Sequence, residues 1–178
     1  MKKKAAAKTP LRSALMANSS LHPSVKDGLG AVKNAHRNYF DNSTRTSFAD
    51  SIDFDVAMER GHANDNRWDY LLGHIASGQI VAVEPHSAKQ DELSTVIAKR
   101  QAALTHLRDH LKEGVRVTKW LWVASGKVQF ADTEKARRWL DQNGIEFVGG
   151  KVLEKHLPRP ALQRAPTAKS KIGSKGKK

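Results

Sequence analysis

The sequence predicts an α/β fold in which a mixed central sheet is flanked by helices, and three observations predict it. Apolar-rich runs at about 52–58, 67–73 and 80–87 read as strands. From Ser87 the apolar period lengthens from two to nearly four, as in an amphipathic helix. Beyond Gly114, strand-like and helix-like segments alternate, which places helices against a sheet. At 178 residues the chain has the length of one domain with a sizeable core. That domain is expected over residues 21–154, between flexible basic tails at 1–20 and 155–178.

Taken in order, Pro23 and Ser24 open a predicted helix, with Ser24 as N-cap and a stripe of Val25, Leu29, Val32, Ala35 or His36, and Tyr39 that Gly28 and Gly30 weaken. After the loop Asp41 to Thr44, the alternation of Ile52, Phe54, Val56 and Met58 with Asp53, Asp55 and Ala57 predicts a half-buried strand. Arg60 to Asn66 reads as a turn. The second strand, Arg67 to Gly73, puts Trp68, Tyr70 and Leu72 on one face and Asp69 with Arg67 and Leu71 on the other. A turn through Ser77 and Gly78 leads to the third, where Ile80, Ala82 and Glu84 share a face that His86 keeps if the strand survives Pro85.

Leu93, Val96, Ile97, Leu104, Leu107 and Leu111 form the stripe of the long helix, with Asp91 and Glu92 suited to its start and Lys112 and Gly114 to its end. Val115 to Val123 is β-branched and aromatic, hence a strand. Val128 to Phe130 follows a turn, Asp132 and Thr133 cap a helix carrying Ala136, Trp139 and Leu140, and Ile145 to Val148 is a last short strand.

The net charge of +13 is confined to the ends. Residues 1–12 hold Lys2, Lys3, Lys4, Lys8 and Arg12 without an acid, and residues 155–178 hold eight cations without an acid, among them Lys169, Lys171, Lys175, Lys177 and Lys178. Together these equal the whole excess, so the intervening stretch is formally neutral. Such tails attract polyanions by counterion release, which confers affinity without sequence choice, and nucleic acid is the leading partner, DNA ahead of RNA. Solubility or an acidic protein partner are the competing explanations. The chain has no cysteine, so thiol catalysis and thiolate metal sites are excluded and a cytoplasmic location is expected. No apolar run is long enough for a bilayer, and the basic start has no hydrophobic region behind it, so no membrane association or export is expected. Nothing in the sequence indicates an oligomeric state.

Two acids stand out. If the second and third strands pair, Asp69 and Glu84 end neighbouring strands, and His86 lies two residues further on the same face. A hard cation such as magnesium takes oxygen ligands, commonly one or two carboxylates with water completing the shell. It can neutralise a phosphodiester and make hydroxide available, and a third group can hold or deprotonate the attacking water. The plainer reading is that Asp69 faces solvent and Glu84 merely closes its strand. Against it, Ile80 to Val83 is apolar on both faces, as in a buried central strand, and an acid ending such a strand needs a partner. Asp53, Asp55 and Glu59 either contribute or are solvent-exposed.

The run Arg67-Trp68-Asp69-Tyr70-Leu71-Leu72, then Gly78 to Ala88 with Glu84-Pro85-His86, followed by a long helix and a strand, resembles the core of the PD-(D/E)XK nuclease superfamily over roughly residues 48–150. That resemblance implies a restriction-endonuclease-like fold and a metal-dependent phosphodiester hydrolase, with Asp69 and Glu84 binding Mg2+ or Mn2+. His86 stands where the family has lysine, and imidazole, with an unperturbed pKa of about 6.5, lacks lysine's persistent charge. Lys89 or Lys99 could reach in instead, Lys89 being nearer along the chain. The family often adds an acid from its first helix, where only Asp27 is on offer. The fold could therefore persist in a catalytically inactive nucleic-acid-binding or assembly protein.

Two further groups are open to two readings each. His106 and His110 have a zinc-ligand spacing but no accompanying motif, so an exposed helical face competes. Trp120 and Trp122 share a strand face and either stack on bases or pack in the core.

Overall fold

A computed structural model of the chain describes residues 9–59, 61, 65–89, 91–128 and 134–160. Helix α1 (Pro10–Ala14) starts on a proline, whose fixed φ suits a first helical position and whose missing N–H costs nothing there. It is followed by a single 3-10 turn at His22–Ser24, the two-residue strand β1 (Lys26–Asp27) and a 3-10 helix at Asn34–Tyr39. This replaces the single helix expected over 24–40. Gly28 turns the chain with a φ of +53°, and a Cβ on Gly30 would lie 2.8 Å from the Asp27 carbonyl oxygen. Both glycines thus serve a tight turn at the sheet edge.

Next come α2 (Asn42–Arg45), β2 (Phe48–Asp53) and α3 (Phe54–Met58). The strand expected over 52–58 is therefore half strand and half helix. Asp53 makes the change, because its carboxylate accepts the Val56 N–H at 3.0 Å as an N-cap. Phe54 and Met58, four apart, still reach the same core on a helix, while Val56 turns out to solvent at 53% exposure.

The remaining elements are β3 (Tyr70–His74), β4 (Ile80–His86), α4 (Glu92–Leu107), β5 (Val117–Ala124), α5 (Glu134–Gln142) and β6 (Glu146–Phe147). Strand β4 continues through Pro85, so the condition for keeping His86 on the face of Glu84 is met. The long helix ends at Leu107, short of Lys112, and Leu111 instead bridges to Leu15. Val128 lies outside any strand, and residues 129–133, expected to finish that strand and cap α5, lie outside the described residues.

The fold is α/β, with a six-stranded mixed sheet in the order β1-β2-β3-β4-β5-β6. The pairs from β1 to β4 are antiparallel, and β4, β5 and β6 run parallel through crossovers that contain α4 and α5. One face packs Ile52, Leu71, Ile80, Ala82, Trp120 and Trp122 against side chains of α1, α3, α4 and α5. The other buries Tyr70, Leu72, Val81, Val83, Leu121 and Val123 under Leu29, Val32, Phe40, Val152 and Leu157, which come from turns and loops. The longer helices therefore gather on one face of the sheet. Strand β4 is buried on both faces, consistent with its unbroken apolar run.

Both ends of the described chain are packed, contrary to the expected tail boundaries. Leu11 and Leu15 are buried in the core, and so are His156 and Leu157. The N-terminal anchor is Asp50, a buried acid on β2 that accepts hydrogen bonds from the Thr9 hydroxyl and from the Leu11 and Arg12 N–H groups at 3.2 and 3.1 Å. A side chain at Gly73 would collide with that carboxylate, so the anchor needs glycine opposite it.

Candidate active site at the end of the central strand

Glu84 lies near the C-terminal end of β4, on the face that α4 covers, and is fully buried. A carboxylate there requires hydrogen-bond donors, and the structure supplies them from two directions. The main-chain N–H of Asp69, just before β3, donates to Glu84 Oε2 at 2.8 Å. The Lys99 ammonium, from the middle of α4, donates to Glu84 Oε1 and lies 3.7 Å from Asp69 Oδ1. Asp69 is also fixed through its carbonyl, which accepts the Phe54 N–H at 2.7 Å. Hence the ends of β2, β3 and β4 and one residue of α4 meet at this point.

Among the sequence-predicted residues, Asp69 and Glu84 are brought together. His86 is also adjacent, its Nδ1 3.6 Å from Glu84 Oε1 and its Nε2 2.8 Å from Glu92 Oε2. Imidazole therefore bridges two carboxylates, and the ammonium contact to Glu84 comes from Lys99. Lys89 is exposed and precedes α4, and no contact of its side chain with Asp69 or Glu84 is found. Of the two lysines considered, Lys99 is the one whose ammonium reaches the acids. Its signal in the sequence is a gap in the apolar stripe of α4, where Lys99 and Arg100 stand between Ile97 and Ala103.

The electrostatics follow from this crowding. Burial and the neighbouring Asp69 charge push the Glu84 carboxyl up to about 8, against the opposing pull of Lys99. Burial likewise raises Asp69, with Lys99 opposing and Asp55 adding to the rise. Burial alone would lower Lys99, but the Glu84 carboxylate outweighs it and the ammonium is held above its ordinary value. One ammonium thus faces two acidic side chains, both of which burial makes harder to ionise.

Asp55 is joined to Arg67 at 2.8 Å, and Asp53 caps α3 while lying 3.9 Å from Lys33. Glu59 is exposed and Asp27 pairs with Arg12 at 2.9 Å, away from the site. Among the described residues no group of three or more His, Asp or Glu side chains is placed to hold a metal. Asp69 and Glu84 are oxygen donors of the kind a hard divalent cation takes, with water completing its shell. His106 and His110 do not form a pair on one helical face: His106 lies 3.3 Å from Asp65, and His110 lies beyond the end of α4, with its Nδ1 3.0 Å from the Ser19 hydroxyl. Trp120 and Trp122 are core residues, the first edge-on to Trp68 at 5.0 Å with the Arg100 guanidinium over its ring at 5.1 Å. Trp68 therefore lies on the opposite face from Tyr70, because strand alternation begins only at Tyr70.

Lys2, Lys3, Lys4, Lys169, Lys171, Lys175, Lys177 and Lys178 lie outside the described residues. Among the described residues no helix is long and apolar enough to cross a membrane. Comparison with protein-family models, with curated proteins and with solved structures finds no match.

Proposed function

We propose that this protein is a divalent-metal-dependent phosphodiester hydrolase acting on nucleic acid, DNA before RNA, built on a restriction-endonuclease-like core. The observation that carries the reading is the meeting of Asp69, Glu84 and Lys99 at the ends of adjacent strands beneath α4. Asp69 and Glu84 would hold Mg2+ or Mn2+, which when bound supplies Lewis-acid stabilisation of phosphate charge and a lowered pKa for water. Lys99 supplies the persistent positive charge that His86 lacks, and its raised pKa keeps it protonated across the physiological range. The Asp69 N–H orients Glu84, so a main-chain atom rather than a mobile side chain sets the direction of that carboxylate. Glu92 orients the His86 ring. The basic tails add affinity for the backbone without sequence choice.

A second reading has its own observation. Lys99 already contacts Glu84 and lies near Asp69, an arrangement that can stand as a closed structural ion pair in a nuclease-like binding protein. Cleavage of DNA and RNA with Mg2+ or Mn2+ separates the two, using wild type, Asp69→Asn and Glu84→Gln. The hydrolase reading requires cleavage by wild type and its loss in both variants. Equal nicking by all three proteins removes it.

A further inference from the structure

Three of the chain's four tryptophans, Trp68, Trp120 and Trp122, are buried in the core, whereas Trp139 on α5 is 44% exposed. The inward stripe of that helix is Ala136 and Leu140, one turn apart, and Trp139 stands beside the stripe instead of within it. No hydrogen bond or ring contact of the Trp139 indole is found among the described residues. With about 3.6 residues per turn, Lys135, Trp139 and Gln142 fall within about 60° of one another on the exposed surface, and Arg138 lies next to them. The two acids of α5, Glu134 and Asp141, are on the other flank, about 140° or more from Trp139 around the helix axis. Arg138 does meet Glu134 at 3.7 Å, but both side chains are largely exposed, and such a pair contributes little and yields readily to a competing anion.

We propose that this flank of α5 is a contact for an unpaired nucleic-acid strand, with a base stacked on Trp139 and neighbouring phosphates held by Lys135 and Arg138. The contact deepens the nucleic-acid reading above and rests on it, adding to the basic ends a site on the folded domain and a preference for single strands. Stacking on a side chain needs the open face of a base, which a duplex keeps inside its own stack. Every base has such a face, so the contact tolerates any sequence. The two cations add phosphate contacts, which position a strand without reading it. Gln142 supplies an exposed amide on the same flank.

The full chain, kept in EDTA, is titrated with a thymidine octanucleotide, with an abasic octanucleotide of the same charge and with a blunt hairpin duplex, while tryptophan emission and the anisotropy of the end-labelled strands are read. Because the other three indoles are buried, quenching by a stacked base reports on Trp139. The thymidine strand should quench, and the abasic strand and the duplex should bind without quenching. Trp139→Leu should bind the thymidine strand about tenfold more weakly and the abasic strand as wild type does. Lys135→Gln combined with Arg138→Gln, both at exposed positions, should weaken both strands; if Trp139→Leu does not fold, this variant and the quenching contrast in wild type decide. The site is overturned if the bound thymidine strand leaves the emission unchanged, if the abasic strand quenches equally, if folded Trp139→Leu binds the thymidine strand as wild type does, or if the charge variant binds both strands as wild type does. The two readings fail differently: no binding of any strand removes the site and the nucleic-acid partner together, whereas quenching by a protein that cuts nothing when metal is added keeps the site and removes the hydrolase.

Discussion

Lys99 donates to Glu84 across fifteen residues of sequence, joining the middle of α4 to a fully buried acid near the end of β4. Removing one partner of such a pair leaves a buried charge uncompensated, which generally costs about 3 to 5 kcal/mol. Lys99→Met should therefore lower stability by that order in chemical denaturation at pH 8. Cleavage should fall by about 10²-fold or more. Lys89→Ala should change neither quantity, and His86→Ala should cost less activity than Lys99→Met. A larger loss in Lys89→Ala than in Lys99→Met would reverse the assignment.

Glu84 sets a pH dependence whose sign can be worked out. Its folded pKa, about 8, is above the ordinary 4.5, so the folded state holds the proton more tightly than the unfolded chain. That stabilisation is complete below about pH 4.5 and is lost as pH rises through about 8. Glu84→Gln cannot ionise, so its melting temperature should gain on wild type between pH 5 and pH 9, by at least about 3 °C for a chain of this size. A constant difference over that range would show that Glu84 is ionised throughout.

Metal affinity should depend on Asp69 and leave the fold intact. Glu84 is oriented by the Asp69 main-chain N–H, which Asp69→Asn preserves. Calorimetric titration with Mn2+ should show binding to wild type and at least a tenfold loss in Asp69→Asn, with unchanged thermal stability in metal-free buffer. Equal binding by both proteins would place the cation elsewhere.

Asp50 predicts where the chain can be shortened. Asp50→Ala leaves the Leu11 and Arg12 N–H groups without their acceptor and should cost roughly 2 to 4 kcal/mol. Limited trypsin digestion should then cut at Arg12. Removing residues 1–12 would also take away Leu11, which is part of the core, so the electrostatic contribution of the ends is better tested by deleting 1–8 and 161–178. That deletion should weaken duplex DNA binding and flatten its salt dependence while leaving the melting temperature within a few degrees.

Several elements were legible from local pattern. The run Ile80 to Val83 announced a strand buried on both faces, and Gly78 announced the turn before it. The stripe from Leu93 to Leu107 announced α4. Asp69 and Glu84 could be picked out because acids bordering an apolar strand need partners. The segment 52–58 misled because Ile52, Phe54 and Met58 reach the same core either as a strand or across a strand-to-helix junction. Only Val56 distinguishes the two, and it ended in solvent. The helix expected at 24–40 failed because Gly28 and Gly30 favoured a turn at the sheet edge over a weak apolar stripe.

Period, turn residues and charge placement are local properties, and they were enough for the α/β class, the central hairpin, the long helix and the pair of candidate acids. Which cation answers Glu84 was not local. Lys89 is nearer along the chain, yet Lys99 lies on the inward face of α4, and the crossover that makes β4 and β5 parallel brings that face over the strand end. The same holds for Asp50, whose partners lie some forty residues earlier, and for Tyr70, whose hydroxyl reaches His36. Burial makes these pairings obligatory, because a polar group inside the core must find a donor or acceptor, and only the packed chain determines which one is within reach.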